Sequence, residues 1–134
     1  MRIMLDTNVI ISVLLFANSR MTNMMNYIFT THRLVLSDYI MDELKYVATR
    51  KFPSKVEMIE KFLSSMDFEI ASNRNGQNNL YIRDPKDYPI LASAKTNDVD
   101  ILITGDKDFL DIRIDSPEII TPSEFINKYI YNQN

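Results

Sequence analysis

The 134-residue chain contains no cysteine and no tryptophan, only two glycines and a single histidine. The absence of cysteine excludes disulfides, a thiolate nucleophile and any cysteine zinc site. One histidine rules out His-rich metal centres and leaves a Ser-His-Asp triad a single candidate. That residue, His32, lies in Thr31-His32-Arg33 just ahead of Leu34-Val35-Leu36, where a solvated residue at a strand entry is expected. No apolar run approaches the roughly 20 residues needed to span a membrane. The opening Met1-Arg2-Ile3-Met4-Leu5 is broken by Asp6, too early for the apolar region of a signal peptide. A cytoplasmic location is therefore expected. If the chain is an enzyme, its chemistry rests on carboxylates and a metal.

Apolar residues make up 46% and charged residues 25% of the chain, as in an ordinary globular protein. The length suits one domain over residues 1–134 with a proper core. The net charge of −3 looks unsuited to a nucleic-acid binder. Four acids singled out below change that view. Without Asp6, Glu43, Asp87 and Asp106, the 18 acids become 14 against 15 bases, so the remaining body is slightly positive. A divalent ion among those four acids leaves no strong repulsion of phosphate.

Short apolar runs alternate with amphipathic segments. Strands are predicted at Ile3 to Asp6, Leu34 to Ser37, Phe68 to Ala71, Ile101 to Thr104 and Glu118 to Thr121. Helices are predicted from about Asn8 to Phe16, Thr22 to Thr30, Tyr39 to Arg50, Lys55 to Ser65, Ile90 to Thr96 and Ser123 to Tyr131. The strands are apolar throughout, as in a parallel sheet covered on both faces. The alternation points to a three-layer α/β/α sandwich with a central, mostly parallel sheet and right-handed crossovers. Ser37 or Asp38 can cap the third helix, and Thr121 or Ser123 the last. Gly105 falls in Thr104-Gly105-Asp106, where a sharp turn is expected. The polar run from Ser72 to Asn79 reads as a loop near the substrate. Met21, Met24 and Met25 read as core or dimer-contact packing.

In such a fold, ligands bind outside the carboxyl ends of the strands. Asp6 ends the first strand, Asp106 follows the fourth, and Asp87 precedes the apolar stretch Ile90-Leu91-Ala92. Glu43 borders the apolar face formed by Ile40, Leu44 and Val47, whereas Asp42 points to water. Carboxylates gathered at one edge repel one another unless a cation lies between them, and they are natural ligands for hard ions such as Mg²⁺ or Mn²⁺. Each acid also has a structural reading. Asp6 can cap a helix, Asp87 can complement a helix dipole, Asp106 and Asp108 can serve a turn, and Glu43 can be a half-exposed surface residue. Four such readings converging on one edge by coincidence are the poorer explanation. Thr7 and Asn8 are placed to orient the ligating acids or simply to cap, and Thr104 to hold a carboxylate or a water.

Four blocks in order carry a resemblance. Met4-Leu5-Asp6-Thr7-Asn8-Val9-Ile10-Ile11-Ser12 resembles the opening of PIN domains. Ser37-Asp38-Tyr39-Ile40-Met41-Asp42-Glu43-Leu44 resembles their second acidic block, and Arg83-Asp84-Pro85-Lys86-Asp87-Tyr88-Pro89-Ile90-Leu91-Ala92 the third. Ile103-Thr104-Gly105-Asp106-Lys107-Asp108-Phe109-Leu110 resembles the fourth. The similarity covers essentially the whole chain. It implies a metal-dependent ribonuclease, often the toxin half of a VapC-like toxin–antitoxin pair. It implies Asp6, Glu43, Asp87 and Asp106 as metal-binding catalytic acids, Asp108 as a fifth ligand, an antitoxin protein as partner and a homodimer. The chain departs from the commonest of these toxins in Thr104-Gly105-Asp106, where many carry arginine at the middle position.

Rival enzymes fit worse. A haloacid-dehalogenase-type phosphatase needs an acid two residues after the first, and that position is Asn8. A receiver domain needs a phosphoacceptor aspartate after the third strand, which here ends in Ala71-Ser72. The non-enzymatic alternative is a PIN-like module that binds RNA or protein without cutting.

Overall fold

Every strand of the central sheet runs parallel to its neighbours, in the order β3-β2-β1-β4-β5. The computed structural model describes residues 1–16, 18–72 and 88–132. Along the chain these form β1 (Arg2–Leu5), α1 (Thr7–Leu15), α2 (Ser19–Thr31), β2 (Arg33–Ser37), α3 (Asp38–Lys51), α4 (Val56–Ser65) and β3 (Glu69–Ala71). They continue through α5 (Tyr88–Thr96), β4 (Ile101–Ile103), α6 (Lys107–Leu110), β5 (Glu118–Ile120) and α7 (Pro122–Phe125). The predicted α/β/α sandwich is thus the observed fold, and all five predicted strands are present.

β1 is the centre of the sheet, and its registers place Met4 against Val35 on one side and Leu102 on the other. Ile3, Met4 and Leu5 are completely or almost completely buried, as are Leu34 to Leu36 and Ile101 to Ile103. Strands covered on both faces have no use for polar alternation, which is why these runs read as continuously apolar. Helix packing completes the core, with Ile40, Leu44 and Ala48 buried on α3 and Phe109 and Phe125 among the largest enclosed side chains. Met24 and Met25 are core residues and Met21 packs against them, so the methionine cluster serves the interior.

Among the described residues, the amino edge of the sheet holds most of the paired charge. The Arg2 guanidinium donates two bonds to Glu69 at 2.8 and 2.9 Å, Arg33 approaches the same carboxylate at 3.4 Å, and Asp100 accepts from the Arg2 backbone at 2.7 Å. The bidentate fork ties β1 to β3 across the intervening β2.

Several boundaries differ from expectation. α2 begins at Ser19, three residues before the expected start, because Asn18 caps it by accepting from the Met21 backbone. The segment expected as one helix from Ser123 to Tyr131 is α7 followed by a π-helical stretch over Ile126–Tyr131. α6 lies outside the predicted helices, because at four residues it is too short to carry a periodic apolar signal. His32 is half-buried, with Nε2 shielded from solvent and unpartnered among the described residues, because it closes α2 in an edge-on contact with the ring of Tyr27. Among the described residues, no helix is long and apolar enough to cross a membrane.

Candidate active site

Asp6 is the pivot of the carboxyl edge. It follows β1, its backbone N–H donates to Ile103 of the adjacent β4 at 3.0 Å, and it caps α1. The side chain is 5% exposed, the most deeply buried carboxylate among the described residues. Oδ1 accepts from the Thr7 backbone N–H at 2.7 Å, and Oδ2 accepts from the hydroxyl of Thr104 at 2.9 Å. Burial pushes the Asp6 carboxyl pKa above its ordinary value, and the two hydrogen bonds oppose the shift. The charges of Glu43 and Asp106 add to the rise. Two acids from distant parts of the sequence therefore act on Asp6 at this edge.

The other groups follow from local chemistry. Ser37 closes β2 and caps α3 by accepting from the Tyr39 backbone, which fixes where the helix leaves the sheet. Glu43, in the second turn, is half-buried on the flank of the apolar face, while Asp42 is exposed, as the helical spacing predicts. Thr104 is fully buried past β4, and its hydroxyl also accepts from the Asp106 backbone at 3.0 Å. Asp106 caps α6 by accepting from the Asp108 backbone at 2.9 Å. Asp106 and Asp108 are both half-buried.

The capping readings of Asp6 and Asp106 are therefore real, but they do not use up the carboxylates. Each acid binds only neutral donors, and among the described residues neither Asp6, Glu43 nor Asp106 has an ion-pair partner. The paired acids of the amino edge show the opposite arrangement. The donor set at the carboxyl edge is hard oxygen, which suits a divalent cation with oxygen preference. Among the described residues, the buried Thr7 hydroxyl, one residue from Asp6, has no hydrogen-bond partner and is an additional unmet polar group there. Asn8 is exposed, and its carbonyl accepts from the Ser12 hydroxyl.

Asp87, expected as the fourth acid, lies outside the described residues, as do Asp84 and most of the polar run ahead of them. Among the described residues no three His, Cys, Asp or Glu side chains stand close enough to form a metal cage by themselves. The Thr104–Asp106 link and the unpartnered Thr7 hydroxyl were not legible as specific contacts in the sequence. Only the residue types, threonines adjoining acids at strand ends, hinted at them.

The turn at Gly105 corrects a further expectation. Its backbone lies outside the left-handed region, and a Cβ built there meets nothing within 4 Å beyond its chain neighbours. The turn therefore needs no glycine.

Comparison with known proteins adds the family. The PIN domain family model matches residues 2–108. Among solved structures, the fold is similar to that of VapBC2 from Rickettsia felis bound to a DNA fragment from its promoter, with TM-score 0.68 and 19% identity over 90% of this chain and 97% of that one. It is also similar to DNA-bound VapBC from Salmonella typhimurium, with TM-score 0.68 and 20% identity over 91% and 98% of the two chains. FitAcB from Neisseria gonorrhoeae gives TM-score 0.61 and 19% identity over 90% and 98%. Identities this low show a shared fold. No curated protein matches significantly.

Proposed function

The chain belongs to the PIN domain family, and on that premise we propose that it is a metal-dependent endoribonuclease that hydrolyses RNA phosphodiester bonds. The observation that carries this reading is Asp6, a buried carboxylate facing the charges of Glu43 and Asp106 with no neutralising cation among the described residues. Such an arrangement costs stability unless a positive ion belongs there.

Asp6, Glu43, Asp87 and Asp106, with Asp108 beside them, are the proposed ligands of one or two Mg²⁺ or Mn²⁺ ions. Held by these acids, such ions would supply Lewis-acid chemistry to the phosphodiester and to an attacking water. The chain supplies position. Thr104 and the Thr7 backbone hold the two Asp6 oxygens in fixed directions, so that a ligand rotamer exists before any substrate arrives. One carboxylate of the group accepts the attacking water's proton. The whole chain, 1–134, acts as one domain in this reading.

The similar folds belong to VapBC and FitAcB complexes, and that pairing supports a toxin role and an antitoxin protein as partner; a homodimer is part of the proposal on the family resemblance alone. The test is to map RNA ends produced from mixed RNA by the purified protein with Mn²⁺, using Asp6→Ala as the blank. Ends made only by the wild type are expected. Ends shared equally by both samples mean contaminating nuclease and overturn the reading. RNA binding without metal-dependent ends in either sample assigns the chain to the non-catalytic alternative.

A further inference from the structure

The turn after β4 carries two features that the fold does not use. Gly105 is exposed, has no left-handed backbone to accommodate, and faces open space where its side chain would be. A glycine in such a place only adds freedom to the unfolded chain, so the folded state gains nothing from it. Its neighbours each have a structural contact: Thr104 binds Asp6 and the Asp106 backbone, and one oxygen of Asp106 accepts from the Asp108 backbone. Two positions on, Lys107 is exposed, and among the described residues its ammonium has no hydrogen-bond or ion-pair partner, although Asp106 and Asp108 flank it. A bare stretch of backbone and an uncommitted cation thus adjoin the acids at the carboxyl edge.

We propose that this turn is the seat of the substrate strand: the sugar–phosphate backbone of single-stranded RNA lies against Gly105, and the Lys107 ammonium pairs with a phosphate next to the scissile bond. Glycine is the residue that lets a ligand approach the main chain closely. The cation offsets the repulsion between a phosphate and the acidic edge, a local answer to the net charge of −3. Lys107 and Gly105 are positioning residues in this scheme, and the inference rests on the ribonuclease reading above.

The test measures binding of a fluorescent single-stranded RNA 20-mer by anisotropy, with Mn²⁺ present and Asp6→Asn in every variant to suppress turnover. Lys107→Ala is expected to weaken binding about 3- to 10-fold and to reduce the salt slope by about 0.7, the share of one single-strand phosphate contact. Lys107→Arg is expected to restore both. Gly105→Leu is expected to weaken binding at least about 10-fold, while Gly105→Ala leaves the melting temperature unchanged or raises it by about 1–4 °C. Lys95→Ala, at the far end of α5, serves as the control. Equal losses from Lys107→Ala and Lys95→Ala, or Gly105→Leu binding as tightly as its parent, overturn the seat. The two readings separate in a parallel cleavage assay without the Asp6 substitution. Metal-dependent cleavage unimpaired by Gly105→Leu and Lys107→Ala overturns the seat alone. RNA binding with the expected dependences in a chain that never cleaves supports the seat and overturns the ribonuclease.

Discussion

The hydroxyl of Thr104 donates to the carboxylate of Asp6 at 2.9 Å while accepting from the backbone of Asp106, so one buried side chain joins the ends of β1 and β4. Thr104→Val removes both bonds at once and leaves a buried carboxylate short of a donor. A loss of about 1–3 kcal/mol is expected, with Thr104→Ser retaining most of the stability. Denaturant titration checks this, and a Thr104→Val midpoint equal to the wild type contradicts the role assigned to the bond.

Asp6 should couple metal to stability. Its folded pKa is raised, so the ionised carboxylate carries a penalty that is present above the folded value and relieved as pH falls toward the ordinary 3.8. Without metal at pH 7, Asp6→Asn should therefore melt at or above the wild-type temperature, and the difference should shrink on acidification. Millimolar Mn²⁺ should raise the wild-type melting temperature and move the variant much less, because a ligand bound only by the folded state adds stability by mass action. A wild-type transition indifferent to Mn²⁺ removes the main support for a metal at this edge.

The acids should divide by activity. Asp6→Ala, Glu43→Ala, Asp87→Ala and Asp106→Ala are each expected to abolish RNA cleavage with an unchanged circular dichroism spectrum. Asp42→Ala and Asp84→Ala are expected to retain much of it. An inactive Asp42→Ala beside an active Glu43→Ala reverses the assignment made from the α3 face.

A separate pH effect belongs to His32. Burial holds its pKa below the ordinary 6.5, the positive terminal amine 3.1 Å from Nδ1 lowers it further, and Asp100 opposes both. Neutral His32 contributes stability that is fully present above pH 6.5 and is lost as pH falls through the lowered folded value. Between pH 7 and pH 5, the wild type should lose more stability than His32→Gln. Parallel melting curves for the two proteins across that interval would falsify the account.

Expression tests the toxin proposal. The chain produced alone in a bacterium should arrest growth, and Asp6→Ala should not. Arrest by both points to aggregation or sequestration in place of catalysis, and arrest by neither removes the toxin role.

The sequence by itself determined the architecture and nominated the site. Apolar runs such as Ile101 to Ile103 have one stable use, a strand covered on both faces, and alternation with helical periods leaves little choice but parallel crossovers. The spacing of Ile40, Glu43 and Leu44 likewise fixed which acid of α3 borders the core, because helical geometry is local. What the tertiary structure decided was contact between residues far apart in the chain. That Thr104 reaches Asp6, 98 positions away, that Arg2 crosses to Glu69 and that His32 packs edge-on against Tyr27 depend on strand order and register. So does the spare space over Gly105, which the sequence read as a backbone necessity. Periodicity reports which face a residue occupies, and only the folded chain determines what waits on the other side of it.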